Sequence, residues 1–166
     1  MKNGIKHNEA GSLKIVTWDN KFATGIDLVD SQHQQLFKLT NELYAACFSR
    51  EHDLQNVFKE AMKRMVDYVR FHFNTELKIL EAIQYPDYQN HKKMHDSLIK
   101  DILDAAKGHN EGKKFVPNNF VRTLVEWISS HIAFYDKQYS LYALEQIKKG
   151  VLTRAKLKEI EASATV

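Results

Sequence analysis

Residues 54–84 read LQNVFKEAMKRMVDYVRFHFNTELKILEAIQ, and this stretch decides the fold class. Its apolar side chains recur at three- and four-residue steps, which is the spacing of one face of an α-helix. The apolar residues on this face are Val57, Phe58, Met62, Met65, Val69, Phe73, Leu80 and Ile83. His72 and Glu76 lie on the same face. The stretch therefore predicts a helix of about residues 54–84, capped by Asp53, that buries two ionisable side chains with its core.

Three further segments have the same spacing and predict helices over about residues 31–49, 86–108 and 118–149. Asp30–Ser31 suits the N-cap of the first, Pro86 suits the first turn of the second, and Gly150 follows the last as its C′ residue. Residues 109–119, HNEGKKFVPNN, predict a loop. Four such helices predict an all-α, up-down-up-down four-helix bundle with an N-terminal arm and a short C-terminal helical tail packed outside it.

The chain length predicts one domain. The 166 residues have a core of about 14–149, an N-terminal extension of 1–13 and a C-terminal tail of 150–166. Hydrophobic residues make up 43% and charged residues 27%, which is ordinary for a soluble globular protein. No stretch resembles a signal peptide or a membrane span, and we expect a soluble, cytoplasmic protein.

Composition also narrows the kinds of site. The net charge is +3, with basic residues scattered among acidic ones, so we expect no nucleic-acid partner. Cys47 is the one cysteine, which excludes an intramolecular disulfide framework, a zinc ribbon and an iron–sulfur site. Eight histidines are the unusual feature of the composition. Because only one thiol is present, any metal must be held by nitrogen and oxygen.

Several polar residues share a helical face with core residues, where an ionisable side chain is costly unless it is paired or binds a metal. These candidates are His33, His72, Glu76, His91, His95, His131 and Asp136. Taken singly, each histidine is more often a hydrogen-bonded core residue than a ligand. Together, five imidazoles and two carboxylates are too many ligands for one zinc ion. They suit two octahedral divalent ions, with iron or manganese favoured over calcium or magnesium.

The spacing of His131 and Asp136 differs from that of the other candidate pairs. Five residues separate them, which in a regular α-helix turns the second side chain about 140° from the first. One extra residue in the turn would bring the two side chains into line. We therefore predict a π-bulge between them, which regular α-helical hydrogen bonding through residues 130–137 would contradict.

Four motifs resemble one family. They are W-D…G-I-D…D-S-Q-H over residues 18–33, H-F-x-x-E over 72–76, Y-P followed by H-x-x-x-H over 85–95, and W-x-x-x-H-I-x-x-x-D over 127–136. This pattern resembles the hemerythrins, in particular the bacterial single-domain hemerythrins, over roughly residues 14–145. This sequence departs from the pattern at Leu77, where many relatives have a second acid. We expect Leu77 to face away from Glu76, so that the missing acid does not reduce metal binding.

The resemblance implies a non-haem di-iron centre with an oxo or hydroxo bridge. One iron would be held by His91, His95 and His131 and the other by His33 and His72, with Glu76 and Asp136 bridging both. The two-histidine iron would keep an open position for dioxygen. The resemblance also implies an oxygen pocket walled by Leu36, Phe73, Trp127 and Ile132. Tyr139 and Tyr85 could either hydrogen-bond to the ligands or simply pack between the helices.

The function implied by the resemblance is reversible dioxygen binding for storage, transport or delivery, without enzymatic activity. One alternative is a di-iron enzyme that reduces oxygen, peroxide or nitric oxide. Oxygenase-type sites are rich in carboxylates and carry Glu-x-x-His pairs, which the seven candidates do not include. A second alternative is an oxygen or redox sensor, which we expect to need a separate protein partner.

Overall fold

The computed structural model describes residues 14–48 and 54–164, and within these ranges the chain is helical and contains no β-strand. The α-helices are α1 (Asp27–Phe48), α2 (Leu54–Ala82), α3 (Tyr88–Asn110), α4 (Val116–Trp127), α5 (Lys137–Lys148) and α6 (Arg154–Ala164). A π-helix (Ile128–Asp136) joins α4 to α5, and a short 3-10 turn (Asn20–Phe22) lies ahead of α1. The predicted all-α class is confirmed.

The long helices contact one another in a closed cycle. Both α1 and α3 pack against α2 and also against α4, while α6 packs on α2. None of the helices in the described ranges combines the length and the apolar character that crossing a bilayer requires. The residues predicted for the N-terminal extension, 1–13, lie outside the described ranges, as does Asp53, the predicted cap of α2.

Two apolar clusters divide the interior. One contains Leu36, Phe73 and Ile132, and the other contains Val29, Ile79 and Tyr139. Along each of three elements the chain passes from one cluster to the other. His33 follows Val29 on α1, Glu76 precedes Ile79 on α2, and Asp136 precedes Tyr139. The candidate metal ligands therefore form a polar layer between two apolar ones.

Helix α1 begins at Asp27, earlier than the predicted start at Ser31, so the predicted N-cap was wrong. The carboxylate of Asp30 instead lies in the first turn and reaches back to the arm. It accepts hydrogen bonds from the Thr24 N–H and hydroxyl, both at 2.7 Å, and from the Gly25 N–H at 3.1 Å. The carboxylate thus satisfies backbone N–H groups just ahead of the helix, as a capping side chain would. The helix can therefore begin before Asp30.

The connection between α2 and α3 is longer than predicted. Gln84 has a left-handed backbone (φ 49°), and the N–H of Tyr85 bonds back to the Leu80 carbonyl at 2.9 Å, which ends α2 at Ala82. The residue before a proline avoids the helical conformation, and α3 begins only after Pro86, at Tyr88.

The predicted loop over 109–119 was too long, because α3 continues to Asn110 and α4 already begins at Val116. The positive φ of Gly112 and Phe115 confines the turn to the residues between these helices. At the other end of the last helical run, Gly150 has φ 75° directly after the C-cap Lys149. The predicted C′ role of this glycine is confirmed.

Candidate metal centre

The structure brings all seven predicted site residues into the polar layer, and each of them is at most 2% exposed. They come from α1, α2, α3 and the π-helix. The predicted π-bulge is confirmed, because the whole segment Ile128–Asp136 is π-helical. The wider π turn places His131 and Asp136 on the same side, with His131 Nε2 at 3.0 Å from Asp136 Oδ1.

The ligand-type atoms fall into two groups, each with its atoms within 4.8 Å of one another. The first group consists of Glu76, His91, His95, His131 and Asp136. Its imidazoles all approach the carboxylates through Nε2. His95 Nε2 lies 3.1 Å from Glu76 Oε2, and His91 Nε2 lies 3.5 Å from Asp136 Oδ1. The Nε2 atoms of His95 and His131 are 3.1 Å apart.

The second group consists of His33, His72, Glu76 and Asp136. His33 Nε2 lies 3.1 Å from Asp136 Oδ2 and 3.6 Å from Glu76 Oε1. His72 Nε2 lies 3.7 Å from Glu76 Oε2, across the four-residue step predicted from the sequence. Both carboxylates belong to both groups, and the second group has one imidazole fewer than the first.

Many of these atoms are close to one another and yet lack a hydrogen bond. Nine buried side-chain atoms in the described ranges have no hydrogen-bond partner. All of them belong to the seven residues, and every one of the seven contributes at least one. An unpaired buried polar group costs about 1–3 kcal/mol. So many unpartnered buried polar atoms in one place are unusual in a folded protein and point to a missing partner that they share.

The shape and chemistry of the cluster fit two metal ions. Five imidazoles and two carboxylates present nitrogen and oxygen donors toward shared space, at separations suited to a common ion. The two carboxylates could each contact two ions, because both lie in the two groups. The donor set contains no sulfur, and it therefore suits iron or manganese better than a structural zinc site.

The electrostatics of the metal-free cluster favour charged carboxylates. Burial alone would raise the pKa of Glu76 and of Asp136, but the surrounding imidazoles outweigh burial and hold both pKa values below the usual range. Burial lowers the pKa of His33, yet the Asp136 and Glu76 carboxylates overcome it and raise the pKa to about 9. Burial dominates at His72 and lowers its pKa to about 3. The two histidines of the second group therefore have pKa values shifted in opposite directions.

Tyr139 donates a hydrogen bond from its hydroxyl to Glu76 Oε1 at 2.7 Å, and its side chain is fully buried. Of the two predicted roles for Tyr139, hydrogen bonding to a ligand or packing between helices, the structure shows the hydrogen bond. Burial and the charge of Glu76 raise the Tyr139 pKa, so the hydroxyl remains a donor. Tyr85 instead packs its ring against Tyr139, with centroids 6.3 Å apart, as the packing reading expected.

The four residues predicted to wall an oxygen pocket lie beside the cluster. Leu36, Phe73 and Ile132 are buried, and Trp127 is half-buried. The Phe73 ring stacks on His95, with centroids 3.7 Å apart and 2° between the planes. The Trp127 ring stacks on His131 at 4.2 Å and 16°. These rings restrict the orientation of two of the candidate ligands and keep that side of the cluster apolar.

Sequence reasoning missed Gln32, which the quoted motif D-S-Q-H contains without a role. Its Oε1 lies 3.0 Å from His72 Nδ1, and the side chain is buried. The available signal was its place next to His33, although nothing local indicates a partner on another helix. The histidines given no metal role are apart from the cluster where they are described: His109 packs near Phe58, whereas His7 and His52 lie outside the described ranges.

Leu77, the departure from the family pattern, is half-buried and packs against the apolar cluster that contains Ile79 and Tyr139. It does not belong to either group of ligand-type atoms. The expectation that this position faces away from the Glu76 stripe therefore agrees with the packing.

Comparisons with known proteins agree with this geometry. The family model of the hemerythrin HHE cation binding domain matches residues 24–140. The bacteriohemerythrin of Methylococcus capsulatus is 28% identical over 128 residues, covering 76% of this chain and 95% of its own length. A hemerythrin-like protein of Naegleria gruberi is 28% identical over 122 residues, covering 74% and 88% of the two chains.

Solved structures show the same likeness. A crystal structure of a hemerythrin point mutant superposes with a TM-score of 0.72 at 26% identity, covering 79% of this chain and 98% of that one. The matched region contains all seven residues of the polar layer, because it extends from before His33 to beyond Asp136. With a buried cluster of histidine, glutamate and aspartate side chains arranged as a metal site, the chain belongs to the hemerythrin family.

Proposed function

We propose that this protein binds dioxygen reversibly at a non-haem di-iron centre, for oxygen storage, transport or delivery, and that it is not an enzyme. The observation that carries the proposal is a coincidence of two sets. The seven residues predicted as ligands are also the residues whose buried polar atoms lack hydrogen-bond partners in the described ranges. Two metal ions would satisfy the six of these atoms that face the shared space, which are Nε2 of His33, His72 and His91, Oε2 of Glu76 and both carboxylate oxygens of Asp136. Membership of the hemerythrin family favours iron.

We also propose the finer architecture predicted from the sequence, an up-down-up-down four-helix bundle in a single domain. The closed cycle of contacts among α1, α2, α3 and α4 supports it. The packing of α6 on α2 supports a helical tail outside the bundle. A cytoplasmic location remains a prediction.

The proposed ligand roles follow the two groups of atoms. His91, His95 and His131 would hold one ion and His33 and His72 the other, with Glu76 and Asp136 shared between them. Because the two-histidine group has one imidazole fewer, we propose its side as the one that takes up dioxygen. When bound, the two ions would supply the two electrons that dioxygen takes up and would take them back when it is released.

The chain itself controls orientation and solvent. Tyr139 fixes one oxygen of Glu76 by donating its hydroxyl proton in a hydrogen bond, which leaves the other oxygen directed at the imidazoles. Phe73 and Trp127 hold His95 and His131 by stacking on them. Together with Leu36, these apolar residues exclude water from the polar layer, so that protons and further electrons do not reach it freely.

The balance of donors favours a carrier over an enzyme. The cluster has five imidazoles against two carboxylates, whereas di-iron oxygenase sites are carboxylate-rich. Members of the hemerythrin family are generally oxygen-binding proteins, which agrees with this balance.

The proposal is tested by loading the full chain with Fe(II) without oxygen and measuring iron content and optical absorption. We expect two iron ions per chain and a visible band that develops with oxygen and disappears when oxygen is removed, over repeated cycles. Rapid irreversible conversion to the ferric form, with peroxide released or reduced, would instead favour an enzyme. An iron content well below two per chain would contradict the proposed centre.

A further inference from the structure

Gln32 is buried between α1 and α2, next to the candidate ligand His33 but bonded to a different one. Its side chain is 5% exposed, and its amide oxygen lies 3.0 Å from Nδ1 of His72. The backbone carbonyl of the same residue accepts a hydrogen bond from the hydroxyl of Tyr68. Gln32 is therefore held at both its main chain and its side chain by residues of α2.

The orientation of the Gln32 amide is determined by its other partner. Its Nε2 lies 3.2 Å from Thr75 Oγ1, and the Thr75 hydroxyl donates its own proton to the Phe71 carbonyl at 3.0 Å. A hydroxyl whose single proton is used in this way can only accept from a further neighbour. The amide NH₂ must therefore face Thr75, and the amide oxygen must face His72.

This orientation has a direct consequence for His72. A carboxamide oxygen only accepts hydrogen bonds, so the His72 nitrogen that faces it, Nδ1, must be the one that carries the proton. In a neutral imidazole the other nitrogen, Nε2, then has the free lone pair. That nitrogen is the one that lies against Glu76, within the two-histidine group.

His72 differs in this respect from other candidate ligands. The Nδ1 atoms of His33, His95 and His131 have no hydrogen-bond partner among the residues that the structure describes. The hydrogen bond from Gln32 therefore supports a histidine of the group that has fewer imidazoles. In that group, the loss of one ligand would leave the weakest ion site.

We propose that Gln32 is a positioning residue that selects the Nδ1–H form of His72 and thereby maintains the two-histidine metal site. The proposal rests on the proposed di-metal centre and adds a residue that determines its occupancy. Hydrogen bonds link the Phe71 carbonyl to Thr75, Thr75 to Gln32, and Gln32 to His72. Because Thr75 donates to the Phe71 carbonyl, the Gln32 amide has one orientation, and Nε2 of His72 is left free to face the metal.

The test uses Co(II) as the probe and the full chain as the protein. Wild type, Gln32→Leu and Gln32→Glu are titrated with Co(II) under anaerobic conditions, and the two dissociation constants are resolved calorimetrically. We expect Gln32→Leu to weaken one of the two sites by about 10–100-fold, the usual effect of losing a partner of a ligating histidine, and to leave the other unchanged. Gln32→Glu retains the acceptor and should retain two tight sites.

A second measurement separates positioning from packing. In the Co(II)-loaded wild type, the Nδ1 proton of His72 should give a hyperfine-shifted NMR signal that exchanges slowly with water. This signal should be lost or exchange rapidly in Gln32→Leu and persist in Gln32→Glu. The matched control is Thr40→Val, which removes a buried hydroxyl on the same helix that bonds to the Leu36 carbonyl, and which should change neither measurement.

The outcomes distinguish the two proposals. Fewer than two Co(II) ions in the wild type would contradict the di-metal centre itself. Two ions in the wild type, with equal affinities in Gln32→Leu, would overturn the role of Gln32 alone. Equal losses in Gln32→Leu and Gln32→Glu would also overturn it, since the acceptor would then not be what matters.

Discussion

Replacing Tyr139 with phenylalanine tests how strongly the polar layer depends on a single hydrogen bond. The substitution removes the hydroxyl that donates to Glu76 Oε1 at 2.7 Å and leaves the ring, which is fully buried against Tyr85 and His91. The loss therefore isolates the hydrogen bond, because the apolar packing of the ring is retained. Glu76 Oε1 would join a cluster in which nine buried atoms already lack partners.

The expected magnitude follows from the charge of the acceptor. Glu76 is ionised, since the imidazoles around it hold its pKa well below the usual value against the effect of burial. A hydrogen bond to a charged group contributes about 1.5–3 kcal/mol to stability. In a domain of this size, that loss lowers the melting temperature by roughly 3–12 °C.

The assay is urea unfolding of the metal-free protein, followed by circular dichroism, with the free energy of unfolding extrapolated to water. The control is Tyr85→Phe, because the Tyr85 ring packs at the same place but makes no hydrogen bond to the cluster. We expect the control to lose less than about 0.5 kcal/mol. A loss in Tyr139→Phe no larger than that of the control would refute the reasoning.

Three further predictions concern the pH dependence, the apolar wall and the end of the last helical run. The metal-free protein should lose stability as pH rises from 6.5 through about 9, because the carboxylates near His33 raise its pKa to about 9 in the folded state. Urea midpoints across this range check the sign, and a rise in stability would contradict it. Phe73→Ala should lower the free energy of unfolding by about 3–5 kcal/mol. In the iron-loaded protein it should also shorten the lifetime of the oxygen-dependent absorption band, whereas an unchanged lifetime would mean that the ring does not exclude water. Gly150→Ala should cost about 1–2 kcal/mol in a thermal melt, since its φ of 75° disfavours any side chain although the space around it is open; no loss would show that the turn relaxes.

The helices could be predicted from the sequence because their signals are local. The apolar spacing in α2 predicted a helix to within two residues of its observed end at Ala82. The five-residue step from His131 to Asp136 predicted the π-helix. Two ligands on one helix can reach the same site only if their side chains face the same side. The start of α1 could not be predicted in this way. Asp30 bonds to Thr24 and Gly25 only once the arm has folded back on the helix.

The candidate site shows the same limit. The seven residues could be selected because ionisable side chains lay on apolar stripes, and the structure brings all seven together. The role of Gln32 could not be selected, because its partner Thr75 comes from another helix and is 43 residues away in the chain. The orientation of an amide depends on which groups face it, and sequence spacing does not contain that information.

By itself, the sequence determined the helical class, the element that needed an extra residue, and which polar side chains share a face with the core. Only the tertiary structure decided that the imidazoles meet the carboxylates through Nε2 and that Glu76 and Asp136 belong to both groups of ligand atoms. The physical reason is that helical periodicity sets the direction of a side chain around one axis. The depth and rotation of four packed helices, which set the distances between side chains, come from contacts between residues far apart in the chain.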